Sequence, residues 1–203
     1  MKKILGGNMI QLQEHDYKQL IQLVSDKHGN EKTSEKGPTN IEQINLQEQN
    51  FIRTLTEQNL FFLDEADEAI MDKHAHLIFY SIAKADFVLT LHKNCDSPLQ
   101  KESVNFYAYN STLIYTHLYN STYQICWLPH IPMVIGGITS FLKKSVGQNS
   151  LINVEGKTKE ETDSDFTLTI QENLSADIET IHSITRWFVY HYSNCIKERS
   201  ANE

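Results

Sequence analysis

The sequence predicts an α+β fold: a central antiparallel β-meander packed against helices. Three observations predict it. The tetrapeptide Tyr-Asn-Ser-Thr occurs at 109–112 and again at 119–122. Runs of β-formers flank these repeats, from Val104 to Ala108, Leu113 to Leu118 and Tyr123 to Leu128. Apolar residues at helical spacing lie before and after this block. Asn tolerates φ > 0 and Ser or Thr bonds the local backbone, so each Asn-Ser pair makes a tight turn between two strands.

In chain order, Met9 to Leu12 reads as a short strand or lead-in segment. Glu14 to Lys27 carries Tyr17, Leu20, Ile21 and Val24 on one helical face, and His28-Gly29 ends that helix. Asn30 to Asn40 holds no large apolar residue and reads as a mobile surface linker. A second helix spans Leu46 to Glu57, and Leu60 to Leu63 is an apolar connector. Asp64 caps a third helix that continues through Ala69 and Ile70 towards Lys84, with a break in spacing near His74 and His76. A strand follows from Asp86 to Lys93, then a loop from Asn94 to Glu102 and the meander.

Pro129 to Pro132 stops the last meander strand, because proline cannot donate to a ladder. Met133 to Val146 is an amphipathic helix with Val134, Ile138, Phe141 and Leu142 inward. A weak strand at Leu151 to Val154 leads into a charged turn, Glu155 to Asp165, and a clean alternating strand, Phe166 to Ile170. Ile178, Ile181, Ile184, Phe188, Tyr192 and Cys195 recur at three- and four-residue steps, predicting a helix from Ala176 to Lys197. A strand remains the alternative at Ile184 to Tyr190, which is rich in β-formers. The expected organisation is a single domain over 1–203, with the linker at about 29–40 and a smaller C-terminal part at 148–203.

The 203 residues are 40% hydrophobic and 22% charged, ordinary for a soluble globular protein. A net charge of −8 without a Lys/Arg cluster argues against gripping nucleic acid through phosphates. No apolar run approaches membrane-span length, and Met1 to Asn8 has no hydrophobic signal region. Cys95, Cys126 and Cys195 are three and far apart, which fits a reducing cytoplasm better than a disulfide framework.

Catalytic and metal signatures are weak. His74 and His76 point about 200° apart on a helix and cannot share an ion there, and neither His-Glu-x-x-His nor Cys-x-x-Cys occurs. Asp64 to Glu68 reads as an acidic helix start rather than a cation loop. Gly136-Gly137 faintly resembles an anion site but better fits close packing of a helix on the sheet. Cys126 with His117 or His130 is the least poor nucleophilic pairing, in a strand whose neighbours look buried. Trp127 to Pro129 reads as core and strand end. No metal and no cofactor is expected.

The meander offers binding chemistry instead. By alternation, Tyr107 and Tyr109 share one face of their strand, opposite Phe106 and Ala108, while Tyr115, His117 and Tyr119 lie together on theirs. One sheet face must pack on helices and the other then presents Tyr and His, types enriched at protein interfaces. Tyr107, Tyr109, Tyr115, His117 and Tyr119 are therefore the candidate partner-binding residues.

The run from Ile10 to Tyr17, the helix–connector–helix order around Leu60 to Leu63, the strand Phe87 to Leu91, the meander, and Trp127-Leu128-Pro129 before the helix Val134 to Leu142 together resemble one family. It is that of the EspG/EsaE-like cytoplasmic chaperones of type VII secretion, and the pattern covers Met9 to Val146. Family members are often longer, with two similar halves, whereas the part after Gly147 here is short. The resemblance implies an EspG-like fold, no enzymatic activity and a cytoplasmic location. It also implies a secreted effector or toxin as partner, held through its helical targeting region before export. The Asn- and Lys-containing, Ala-poor composition points to a low-GC Gram-positive bacterium. The alternatives are an immunity protein that neutralises a toxin, or a small enzyme using Cys126 with a nearby His.

Overall fold

A computed structural model describes residues 9–29, 46–63, 69–94, 102–144, 151–159, 166–171 and 178–200. The chain runs β1 (Ile10–Gln13), α1 (Glu14–Gly29), α2 (Leu46–Glu57), β2 (Phe61–Leu63), β3 (Ala69–Met71), α3 (Lys73–Ala83) and β4 (Phe87–Asn94). The meander follows as β5 (Glu102–Tyr109), β6 (Thr112–Tyr119) and β7 (Thr122–Leu128). It is completed by α4 (Ile131–Lys144), β8 (Leu151–Thr158), β9 (Phe166–Gln171) and α5 (Ile178–Ser200). The fold is α+β on a large antiparallel sheet. The linker read at 30–40, the acidic run 64–68 with its cap Asp64, Cys95 and Gly147 lie outside the described residues.

Seven strands form the sheet in the order β1-β7-β6-β5-β4-β8-β9. The meander turns are the repeated Asn-Ser pairs: Tyr109 faces Thr112 and Tyr119 faces Thr122 across them. Asn110 takes φ 55°, and Asn120 and Ser121 take 47° and 62°. In the second turn both central residues have positive φ, the twist-matched hairpin geometry that favours Asn.

Helices pack on both faces of the sheet, and β6 and β7 contribute to both cores. On the first face, Ile10, Leu12, Ile114 and Ile125 pack with Tyr17, Leu20 and Val24 of α1, Leu55 of α2, and Ala75, Phe79 and Ile82 of α3. On the second face, Leu89, Leu91, Val104, Phe106, Leu113, Leu128, Ile152 and Val154 pack with Val134, Ile138 and Leu142 of α4 and Ile184 and Phe188 of α5. The second face holds the larger core.

Gly137 brings α4 onto this face: a Cβ there would lie 2.9 Å from the Phe106 ring, so the glycine permits the close approach. Gly136 faces open space. The packing role read for this pair therefore falls on Gly137 alone.

The structure departs from the sequence reading at three places. Ala69 to Met71 is a strand paired with Phe61 to Leu63, so the helix begins later, behind Asp72, whose carboxylate accepts hydrogen bonds from the His74 and Ala75 amides. The break in spacing near His74 was the start of the helix rather than an interruption. Leu151–Thr158 is one eight-residue strand, twice the length expected. Glu155 and Lys157 alternate with buried Val154 and Gly156, so their charge marks an uncovered strand face, not a turn. Trp127, read as core, is 58% exposed.

A candidate protein-binding surface on the meander

The register sorts the five candidate residues onto both faces of the sheet. Tyr107 pairs with Ile114 and Tyr109 with Thr112, which puts the two tyrosines on the first face. Tyr115 pairs with Phe106 and with Cys126, which puts it on the second face with His117 and Tyr119. Both faces carry helices, so the meander does not present one bare aromatic face.

Tyr107 is tied into the first-face core. Its hydroxyl lies 3.5 Å from that of Tyr17, and the Tyr17 ring stacks on Tyr123 with centroids 3.9 Å apart. Burial pushes the Tyr17 and Tyr107 hydroxyls above their ordinary value, and pushes Tyr123 up to about 12. Phenolate is thus disfavoured throughout this cluster, and these hydroxyls act as neutral hydrogen-bonding groups.

On the second face, Tyr115, His117 and Tyr119 form a row along β6 with centroid spacings of 6.4 and 6.2 Å. Exposure rises along it. Tyr115 packs at 5.3 Å from Phe106, and burial drives its hydroxyl well above the usual tyrosine range. The His117 ring lies 3.1 Å from the Glu102 carboxylate, with both side chains largely buried, and Tyr119 is 50% exposed. The pair across β5 and β6 fixes the imidazole, so His117 is held in place rather than offered as a free nucleophile partner.

On the first face Trp127 is exposed, while Tyr109, Tyr80 and His76 are half-buried. Tyr109 meets Tyr80 of α3 edge-on at 5.4 Å, and Tyr80 stacks with His76 at 5.9 Å. Trp127 pairs with Ile114, whose other partner is Tyr107, so it lies two strand spacings and one same-face step from Tyr109, roughly 12 Å. Trp127, Tyr109 and Tyr80 therefore bracket one end of the meander. Sequence reasoning missed Trp127 and Tyr80, since nothing in the pattern told which end of the sheet the helices would leave open.

Cys126 is 2% exposed on the second face, and burial pushes its thiol up to about 12. Its strand partner is Tyr115, and the His117 imidazole lies against Glu102 instead. Among the described residues no group of three His, Cys, Asp or Glu could hold a metal ion. None of the helices among them is long and apolar enough to cross a membrane.

The fold and this surface define an α+β protein built on an EspG-like sheet. Among solved structures the chain is similar to the type VII secretion system chaperone EspG5 of Mycobacterium tuberculosis, determined in complex with a PE25–PPE41 dimer. The TM-score is 0.51 at 8% identity, over 81% of this chain and 83% of that one. No family model matches the sequence, and no curated protein does.

Proposed function

We propose that this protein is a non-enzymatic protein-binding factor, a chaperone or adaptor that holds a secreted effector or toxin before export. The observation that carries the reading is the half-bare tryptophan at 127, on the same sheet face as Tyr109. Aromatic side chains of this kind anchor interfaces because they bury large area at low entropic cost. The fold likeness supports it, since the similar EspG5 is a chaperone caught with a PE25–PPE41 dimer. In this reading Tyr109 and Trp127 touch the partner, Tyr107, Tyr115 and His117 hold the strands that carry them, and Tyr119 marks the far end of the meander.

The test is affinity purification of the tagged protein from its native cells, with wild type and Trp127→Ala in parallel. A secreted helical protein bound through its targeting region, and lost at least tenfold with Trp127→Ala while the Tm is unchanged, is the expected result. Retention through a toxic domain would turn the reading to immunity. Loss with Tyr119→Ala but not Trp127→Ala would move the surface to the second face, and no partner at all would sink the proposal.

A further inference from the structure

Away from Trp127, the C-terminal end of α3 meets the sheet. A cleft of about 210 Å³ opens there, between Ile82 and Ala83 of α3 and the first-face row of β5, β4 and β8. The register builds its floor: Val88 is the strand partner of both Tyr107 and Lys157, so the three side chains stand side by side on one face. Ile82 adds apolar surface, and Lys159 closes the rim, its amide donating to the Asp86 carbonyl.

Size and charge decide what fits. The volume falls below the roughly 300 Å³ at which small-molecule and cofactor pockets begin, so the cleft suits one or two side chains of a larger partner. Among the described residues its lining carries Lys157 and Lys159 and no carboxylate, in a chain whose 26 acidic residues outnumber 18 basic ones. Lys84, the C-cap of α3, adds a third cation close by. Among the described residues, the Asp86 carboxylate accepts from the Asn110 amide, and Glu155 lies one row along, opposite Thr90.

We propose that this cleft docks an acidic–apolar segment of a protein partner. An apolar side chain would sit on Val88, Ile82 and Tyr107, and flanking carboxylates would meet Lys157 and Lys159. The lysines here act as exposed point charges, so they supply selection of sign and a salt-sensitive attraction more than depth of binding. The site is separate from Trp127 and stands whether or not the chaperone reading does.

The probe is a blocked pentapeptide with a central leucine between glutamates, titrated into the full chain and followed by amide ¹H–¹⁵N spectra. Saturable shifts at Val88, Ala85, Lys157 and Lys159, in the millimolar range and weakened by added salt, are expected. The Lys157→Glu/Lys159→Glu variant should weaken the acidic peptide at least tenfold and accept a lysine-flanked counterpart at the same amides. Trp127→Ala should leave the shifts intact, which separates this test from that of the aromatic strip. The proposal is overturned if the peptide leaves these amides unmoved, if the lysine-flanked peptide moves them equally in the unaltered protein, or if acetate alone reproduces the shifts.

Discussion

Replacing Gly156 with alanine should destabilise the protein by forcing α5 off the sheet. Gly156 lies on the second face between Leu89 and Phe166, its strand partners, with the Trp187 indole laid over it. A Cβ there would stand 2.5 Å from Cζ2 and Cη2 of Trp187 and 2.8 Å from Cε2, about 1 Å inside ordinary carbon–carbon contact. The ring has to give, and it is held by Phe166 and Phe87, both at 5.8 Å, and by His191 at 4.5 Å. Trp187 is only partly buried, so it can rock outward, and the cost stays below that of a fully enclosed clash. Overpacking of this kind costs about 1–3 kcal/mol, and the less flexible unfolded chain returns roughly 0.4–1 kcal/mol. The net loss is about 1–2 kcal/mol, or a Tm lower by about 2–8 °C for a chain of this size. Urea unfolding should show a lower midpoint with an unchanged slope. In a Trp187→Leu background the same alanine should cost little, because the obstructing ring is gone. An equal cost in both backgrounds, or a raised Tm, would refute the reasoning.

Three further outcomes are expected. Cys126, with its thiol pushed up by burial, should react with iodoacetamide at pH 8 no faster than the protein unfolds, and rapid alkylation would revive the thiol-enzyme reading. Tyr17, Tyr107 and Tyr123 bind their protons more tightly folded than unfolded, so their contribution is complete below about pH 10 and is lost as pH rises through the folded values. The Tm should therefore fall between pH 10 and 12, less steeply in Tyr17→Phe, and a flat profile over that range would contradict the cluster. Asn120→Ala removes the short amide side chain that eases a φ of 47° and should cost about 1 kcal/mol, while Asn120→Gly should be near neutral by urea unfolding.

Local signals carried far in this chain. The paired Asn-Ser turns fix the meander because their chemistry acts within four residues, and the 3.6-residue periodicity of Ile184, Phe188 and Tyr192 places α5 against its strand alternative. Decisions made at long range were not legible. Ala69 to Met71 follow a helical pattern locally, yet pair with Phe61 to Leu63. The side of the sheet that each helix covers depends on contacts across the whole chain, so alternation grouped Tyr107 with Tyr109 and Tyr115 with His117 without revealing that both faces are roofed. The same ignorance turned Trp127 into a core residue. Exposure at a sheet end is decided by where a helix stops, which the strand's own sequence does not encode.

The placement of β1 has a consequence for how the chain comes off the ribosome. Ile10 pairs with Ile125, more than a hundred residues later, and no earlier strand offers it a seat. At about 5–20 residues per second, the first strand waits several seconds or more for β7 to emerge. During that interval Ile10 and Leu12, both buried in the finished fold, lack their strand partner, while α2 and α3 are already there for Leu20 and Val24. A protein proposed to shelter another would itself need shelter while being made, and its expression should depend on holdase supply more than its final stability would indicate.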